Sequence, residues 1–219
     1  MSPAARGAGA LRLPEPDVAR HLERVDPAAL HSVTLAGVDL TGADLTALDE
    51  VQVEGSSLER ALAAGGRWRR TTLVDCRLDG ADLANLRTEE LTLMRASLRG
   101  VRLTGAQLTS ARLRAVRLKD CQGRLSSWRG ARLQQVVLRG CDLSEADLAD
   151  AVLTDVLLEE CDLTGAQLSG MRCERVQLRG CRLSGVGGVA SLRGARVGEQ
   201  DALELLPAMA RELGVAIDG

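Results

Sequence analysis

Hydrophobic residues recur along this chain with a period of five. Every fifth residue from Val53 to Gly188 gives 28 positions, and 20 of them are Leu. Chance placement of the chain's leucines would put about five there. Two residues before most of these positions stands a small, mostly apolar residue, such as Ala81, Val101 or Cys121. A helix repeats every 3.6 residues and a strand every two, so this period predicts a short extended piece plus a corner.

The pattern also predicts how each unit is oriented. The small residue and the Leu are two positions apart and share an inward face, while the residue between them points outward. The remaining two residues form the corner, and pairs such as Thr104-Gly105 and Thr164-Gly165 tolerate turn geometry. Cysteines recur at intervals of twenty, which makes four sides per coil; they are Cys121, Cys141, Cys161 and Cys181. Coils stacked through backbone hydrogen bonds would rise about 4.8 Å per layer.

Several positions depart from the regular pattern. Leu30, Leu35, Leu40 and Leu45 keep the period but are out of phase with Val53, so a frame slip with a bulge or loop is expected within 46–52. Both phases together predict about eight coils and an axis of about 38 Å. Irregular packing is expected at four leucine positions that hold another residue. Trp68 and Trp128 would fill the core, and each indole N–H needs a hydrogen-bond partner. Thr88 is smaller than Leu, and the space at Gly123 would be filled by Leu125 or by neighbours.

The two ends of the pattern predict caps, because open solenoid ends expose unpaired strands. Apolar residues at helical spacing predict a short helix over Asp17 to Val25. A second helical segment is expected from Gln200 to Leu213, with Pro207 dividing it into two short helices. The expected organisation is a flexible tail over 1–13, an N-terminal helical cap over 14–29, the solenoid over 30–197 and a C-terminal helical cap over 198–219.

Composition supports a single soluble domain. The chain has 219 residues, of which 45% are hydrophobic and 26% charged, with a net charge of -2. This balance excludes a wholly basic nucleic-acid binder. No stretch approaches the roughly 18 apolar residues that a membrane span needs, and the start shows no secretory pattern. A cytoplasmic protein with six free thiols and no membrane contact is therefore expected.

No residue pattern predicts an enzyme. The two histidines, His21 and His31, lie in or beside the N-terminal cap and have no recognisable catalytic spacing to Ser, Cys or a carboxylate. There is no C-x-x-C pair, and five of the six cysteines occupy the small inward column. No Gly-rich phosphate loop precedes a helix. The prediction is a protein without catalytic, metal or cofactor sites.

Charge is banded along the solenoid. Residues 95–140 hold 11 basic residues against Asp120 alone. Residues 141–170 hold eight acidic residues and no basic one. The acidic band comprises Asp142, Glu145, Asp147, Asp150, Asp155, Glu159, Glu160 and Asp162, and the basic band comprises Arg99, Arg112, Arg114, Arg117, Lys119, Arg132 and Arg139. Either the bands pair across neighbouring coils or they are contact surfaces.

Several units resemble the pentapeptide-repeat family, such as GADLT at 42–46, GADLA at 80–84 and GAQLS at 165–169. The resemblance covers about residues 28–197 and implies an all-β solenoid, a right-handed four-sided β-helix of about eight coils with helical caps. It also implies a homodimer surface on the C-terminal helices, at Leu203, Leu206, Met209 and Leu213. Quinolone-resistance members of this family engage DNA gyrase, and the acidic band would be the contact here.

Three functions stay open at this point. One is a non-enzymatic protein-interaction module that modulates or protects DNA gyrase. A second is an anion or nucleic-acid surface formed by the basic band, which would bind phosphates in a salt-sensitive way. A third is a structural scaffold for another protein partner, oriented by both bands.

Overall fold

The chain folds as a parallel β-solenoid of about eight coils followed by one helix. The computed structural model describes residues 11–27 and 30–216. Its strands are β1 Glu23–Arg24, β2 His31–Ala36, β3 Val38–Asp39, β4 Ala47–Glu54, β5 Arg67–Arg69, β6 Thr72–Val74, β7 Arg87–Glu89, β8 Thr92–Met94, β9 Ser97–Arg99, β10 Arg112–Lys119, β11 Arg132–Arg139, β12 Val152–Glu159, β13 Arg172–Glu174, β14 Gln177–Arg179 and β15 Arg196–Val197. A 3-10 turn covers Val189–Leu192, and helix α1 covers Glu199–Leu213.

Stacking in register places like residues above like. Leu113 of β10 pairs with Leu133 of β11, which pairs with Leu153 of β12, an offset of 20 residues at each step. These leucines are almost fully buried, as are the small residues two positions before them. Parallel pairing satisfies the backbone N–H and C=O groups of each side against the neighbouring coils. The predicted four-sided solenoid is therefore confirmed.

Each corner is a residue in the left-handed conformation. Every fifth residue from Gly55 to Gly185 has a positive φ, whether or not it is glycine. Arg60 has a φ of 52° and Leu125 a φ of 59°. The corner N–H donates to a carbonyl of the next coil, as from Gly80 to the Arg99 oxygen at 2.8 Å. This repeated hydrogen bond offsets the strain that a side chain meets in that conformation.

The first coil is shorter than the others. His31 pairs with Asp49, an offset of 18 residues, whereas Ala47 pairs with Arg67 at the regular 20. Leu45 and Leu48 are both buried although only three residues apart. The frame therefore shifts at positions 46 and 47, where one side lacks two residues. A shortened side stands in place of the expected bulge or loop.

Both tryptophans are buried in the leucine columns and have indole partners. The Trp68 Nε1 donates to the Leu45 carbonyl at 2.6 Å, and the Trp128 Nε1 donates to the Ser126 hydroxyl at 2.8 Å. At Thr88 the residue sizes are exchanged: Thr88 stands in the leucine position, and Leu86, in the small-residue position two residues earlier, is fully buried.

The interior at Gly123 is filled by its neighbours. A Cβ at Gly123 would lie 3.0 Å from the Leu143 side chain and 3.3 Å from the Ser126 hydroxyl. Leu125 is half-exposed at its corner, so it contributes nothing to this part of the core.

The predicted helix over Asp17 to Val25 is wrong. This segment is extended along the side of the solenoid, and β1 within it pairs with β3. The Ala19 N–H donates to the Gly55 carbonyl at 2.8 Å, and the Glu23 N–H donates to the Gly37 carbonyl at 2.9 Å. The corners of the first two coils need backbone donors, and a helix would have used those donors internally. Residues 28 and 29 of the predicted cap lie outside the described residues.

The C-terminal segment is one helix rather than two. Helix α1 runs through Pro207 without interruption for 15 residues. Proline removes the hydrogen bond to the Leu203 carbonyl, and that stretch of α1 is exposed, so water can donate to this carbonyl instead. Leu205 and Ala208 on either side are buried against the last coil. Their packing holds both halves of the helix on the same surface.

Candidate functional site

Exposed arginines are regularly paired with carboxylates one coil away. In six pairs the two residues are 20 apart in sequence and therefore stacked on neighbouring coils. These pairs are Arg69–Asp49, Arg95–Asp75, Arg102–Asp82, Arg139–Glu159, Arg175–Asp155 and Arg182–Asp162. Exposed pairs of this kind contribute at most about 1 kcal/mol each to stability. Their main effect is to neutralise charge along the surface of the rod.

The acidic band is largely neutralised in this way. Six of its eight members lie within ion-pair distance of an arginine; they are Glu145, Asp147, Asp150, Asp155, Glu159 and Asp162. Asp142 accepts hydrogen bonds from the N–H and hydroxyl of Ser144 at 2.9 and 2.6 Å. Hydrogen bonds from Arg175 hold the pKa of Asp155 below its usual 3.8. The band thus presents alternating charge rather than a bare acidic surface.

The basic band divides into two groups. Arg117, Lys119 and Arg139 have a carboxylate within 4.0 Å, which belongs to Glu15, Asp120 and Glu159 respectively. The side chains of the other four make no ion pair with any residue in 11–27 or 30–216; they are Arg99, Arg112, Arg114 and Arg132. The unpaired group lies on β9, β10 and β11.

Helix α1 is attached to the last coil by side-chain carboxylates that sequence reasoning missed. The Leu183 N–H donates to Glu204 at 2.6 Å. The N–H groups of Val189 and Ala190 donate to Glu212 at 2.6 and 3.0 Å. These donors belong to the last coil, which has no following coil to bond them. The sequence signal was present, because Glu204 and Glu212 are eight residues apart and share one side of the helix.

The other side of α1 is apolar and open. Leu203, Leu206, Met209 and Leu213, the predicted dimer residues, are 63%, 51%, 43% and 75% exposed. Val215 after the helix extends this surface. We call these five residues the apolar face of α1. The rest of the described surface carries only two other large exposed apolar side chains, Leu62 and Leu125.

A second unpredicted element is the N-terminal strap, residues 11–19. Arg117 donates to the carbonyls of Leu13 and Pro14 and pairs with Glu15 at 3.0 Å. Further along, the Asp17 N–H donates to Asp75 at 3.2 Å. The strap thus runs along the axis from the middle coils towards the first ones. Part of the predicted tail, residues 11–13, belongs to the strap, and residues 1–10 lie outside the described part.

Surface clefts lie at both ends of the strap region. One of about 770 Å³ flanks the shortened side of the first coil, between His31, Asp44, Asp49 and Arg67. Two others, of about 400 and 370 Å³, lie beside Leu11 against β12 and against β10 and β11. The Nδ1 atom of His31 lies 3.9 Å from the Oδ2 atom of Asp49. The described residues contain no cluster of His, Cys, Asp or Glu suited to a metal ion.

The cysteines line the interior. Five are buried and Cys173 is partly buried, and all six are unpaired. The thiol of Cys121 donates to the Leu98 carbonyl at 3.3 Å. Burial raises the pKa of Cys76 to about 12 and that of Cys173 to about 11. The thiols of Cys76 and Cys173 are therefore protonated at neutral pH, and the buried cysteines act as small core residues. No helix within 11–27 or 30–216 has the length and apolarity to cross a bilayer.

Comparison with known structures finds similar proteins at low sequence identity. Trypsin-treated QnrB1, described as a plasmid-mediated fluoroquinolone resistance protein, is 17% identical with a TM-score of 0.44, covering 86% of this chain and 99% of that one. HetL, described as a pentapeptide repeat protein involved in heterocyst differentiation regulation in Nostoc sp. strain PCC 7120, is 24% identical with a TM-score of 0.40, covering 76% and 86%. No curated protein sequence matches this chain significantly.

The family comparison matches the coils themselves. Eight copies of the pentapeptide repeat match, over residues 92–122, 126–155 and 146–185. These ranges contain β8 to β14 and the cysteine column, where the offset between stacked residues is 20. The same five-residue unit, with its inward Leu and left-handed corner, continues on both sides of the matched ranges. The coils over residues 92–122 and 126–185 are therefore pentapeptide repeats, and in this part the chain matches the pentapeptide-repeat family.

Proposed function

We propose that this chain is a non-enzymatic protein-interaction module that pairs with a second copy through the apolar face of α1. One observation carries the proposal, namely five large apolar side chains exposed together at the end of an otherwise polar rod. Contiguous apolar patches of this kind mark protein contact surfaces in soluble proteins. The role as a cytoplasmic protein stays a prediction.

The attachment of α1 supports pairing through its open face. Leu205, Ala208, Glu204 and Glu212 hold one side of the helix on the last coil. The apolar face is therefore presented by a fixed helix and needs no rearrangement to bind. A two-fold pair would bring the same face of each copy together and join two rods end to end.

Self-association is tested with Leu206→Glu/Leu213→Glu, measured by light scattering after gel filtration. Wild-type protein should have the mass of a dimer, and this variant should have the mass of a monomer, because charges would be buried in the contact. Leu125→Glu is the matched control, since Leu125 and Leu206 are each 51% exposed. A monomeric wild type, or a control that also dissociates, would contradict the proposal.

DNA gyrase is the specific partner that the family resemblance adds. The acidic band, with its alternating arginine pairs, would meet such a partner through complementary charge, which favours orientation and association rate more than affinity. The test is gyrase supercoiling and fluoroquinolone-stabilised DNA cleavage, with and without the protein. Protection of supercoiling or reduced cleavage is expected. If neither reaction changes over a range of protein concentrations, gyrase is not the partner, while dimerisation through α1 stands or falls separately.

A further inference from the structure

Two stacked arginine pairs, Arg67–Arg87 and Arg112–Arg132, depart from the usual stacking of arginine on a carboxylate, and Arg114 lies beside the second pair. Arg112 of β10 is stacked directly on Arg132 of β11, so like charge faces like charge. Arg114 lies two residues further along β10 on the same outer face, where its partner is Gln134. Elsewhere on the rod, six arginines form ion pairs with a carboxylate that lies in the same column of the neighbouring coil. We call Arg112, Arg114 and Arg132 the arginine triad.

This arrangement costs stability that the fold does not recover internally. Like charges directly opposite each other destabilise a sheet, whereas opposite charges stabilise it. In 11–27 and 30–216, no carboxylate lies within 4.0 Å of the three guanidinium groups. All three side chains are exposed. An external anion is the partner that would satisfy them.

The spacing of the triad suits phosphate groups. Neighbouring strands are about 4.8 Å apart and alternate residues on a strand about 6.6 Å apart, so three guanidinium groups share one small area. Guanidinium forks bind phosphate oxygens through two parallel hydrogen bonds. The eight-residue strands β10 and β11 lie in the middle of the stack and hold these positions rigidly. The site is therefore preorganised.

The surface continues along the axis, which favours an extended polyanion over a single ion. Beyond Arg132, the same column contains Val152 and then Arg172. Arg172 also has no carboxylate partner within the described part of the chain. The column from Arg112 to Arg172 spans three coil steps, or about 14 Å.

The form of the surface favours the backbone of a duplex. Single-strand binding relies on aromatic side chains that stack on bases. This chain has no Phe or Tyr, and both Trp68 and Trp128 are buried. A flat sheet face also has no helix or ribbon that could enter a groove and read base edges. We propose that the arginine triad and Arg172 bind the phosphodiester backbone of double-stranded nucleic acid without base recognition.

The test uses the full chain and a fluorescent 20-base-pair DNA duplex, followed by anisotropy at increasing salt. Four phosphate contacts, from the triad and Arg172, predict a log–log salt slope of about -3.6, or roughly 150-fold weaker binding between 50 and 200 mM salt. Arg112→Gln/Arg114→Gln/Arg132→Gln should weaken binding at low salt at least about tenfold and flatten the slope. A duplex RNA probe should behave like the DNA probe if only the backbone is recognised.

The matched control is Arg102→Gln/Arg129→Gln/Arg139→Gln, which changes net charge equally but removes arginines that already have carboxylate partners. It should change affinity less than about threefold. Loss of affinity equal to that of the triad variant would overturn the proposal, as would absence of salt-sensitive binding by the wild type. Equal competition by a polyglutamate peptide would assign the surface to an acidic protein instead. The triad variant should melt no lower than the wild type, because it removes like-charge repulsion.

Discussion

The two ends of the solenoid are closed by different chemistry. At the N-terminal end, extended chain donates backbone N–H groups from Ala19 and Glu23 to the corners at Gly55 and Gly37. At the C-terminal end, α1 supplies carboxylates to backbone donors of the last coil. Hydrogen bonds between two backbones fix the distance between the two chain segments, whereas a long side chain can change its conformation to keep its hydrogen bond. The first end is therefore expected to be sensitive to added atoms, and the second to lost hydrogen bonds.

The largest effect is expected at the shortened first coil. A Cβ on Gly66 would lie 2.2 Å from the Thr46 carbonyl oxygen, so Gly66→Ala forces backbone to move. We expect a loss of about 3 kcal/mol in the free energy of unfolding, measured by urea denaturation. The control Gly65→Ala changes a neighbouring glycine with a φ of +69° and open space around it. It should cost about 1 kcal/mol. Equal losses would show that close approach at Thr46 is not what requires Gly66.

An intermediate effect is expected at the C-terminal end. Glu204→Ala leaves the Leu183 N–H without its acceptor, and Glu212→Ala does the same for Val189. Each should cost about 2 kcal/mol, because unsatisfied buried donors carry a desolvation penalty. Hydrogen exchange of those amides reports the loss directly. Glu199→Ala, in the first turn of α1, is the control and should leave the exchange of both amides unchanged. Unaltered protection in the Glu204 variant would mean that packing of Leu205 alone holds the helix.

The smallest effect concerns the strap and depends on pH. Asp75 accepts hydrogen bonds from Arg95 and from the Asp17 N–H, and the Arg95 hydrogen bonds hold its pKa below the ordinary 3.8. A carboxylate with a lowered folded pKa adds stability above its unfolded pKa and loses it as the pH falls through the folded value. Asp75→Asn should therefore cost about 1 kcal/mol near pH 7 and progressively less below 3.8.

The matched control for Asp75 is Asp120→Asn, at another left-handed corner, where Lys119 at 3.9 Å is the only ion-pair partner of the carboxylate among the described residues. It should change stability by less than about 0.5 kcal/mol at any pH. A constant difference between wild type and Asp75→Asn down to about pH 3 would show that the charge of Asp75 does not anchor the strap.

Much of the fold was predictable because the repeat is local and cumulative. Each five-residue unit specifies its own inward residues and corner, and stacking repeats the same choice at every coil. The period of twenty in the cysteines was enough to predict four sides. Trp68 and Trp128 were predictable as buried residues because they stand in the leucine frame. The identities of their hydrogen-bond partners, Leu45 and Ser126, depended on how the coils stack.

The ends and the surface were less predictable. Val18, Leu22 and Val25 have helical spacing, which predicted a helix. The backbone N–H groups of this segment instead donate to carbonyls at the corners of the first coils, so the segment is extended. Pro207 predicted a break, but packing of Leu205 and Ala208 keeps α1 in one piece. The charge bands were visible in the sequence. Which arginines remain unpaired depended on the neighbouring coil.

The sequence by itself determined the coil: its period, its inward columns, its corners and the number of sides. These follow from the chemistry of five consecutive residues, and repetition reinforces them. Only the tertiary structure decided the form of the frame shift and how each end is closed. Those outcomes depend on residues that are brought together from distant parts of the chain, such as Arg117 with Glu15 or Asp17 with Asp75. Contacts of that kind leave no periodic signal, because each occurs once.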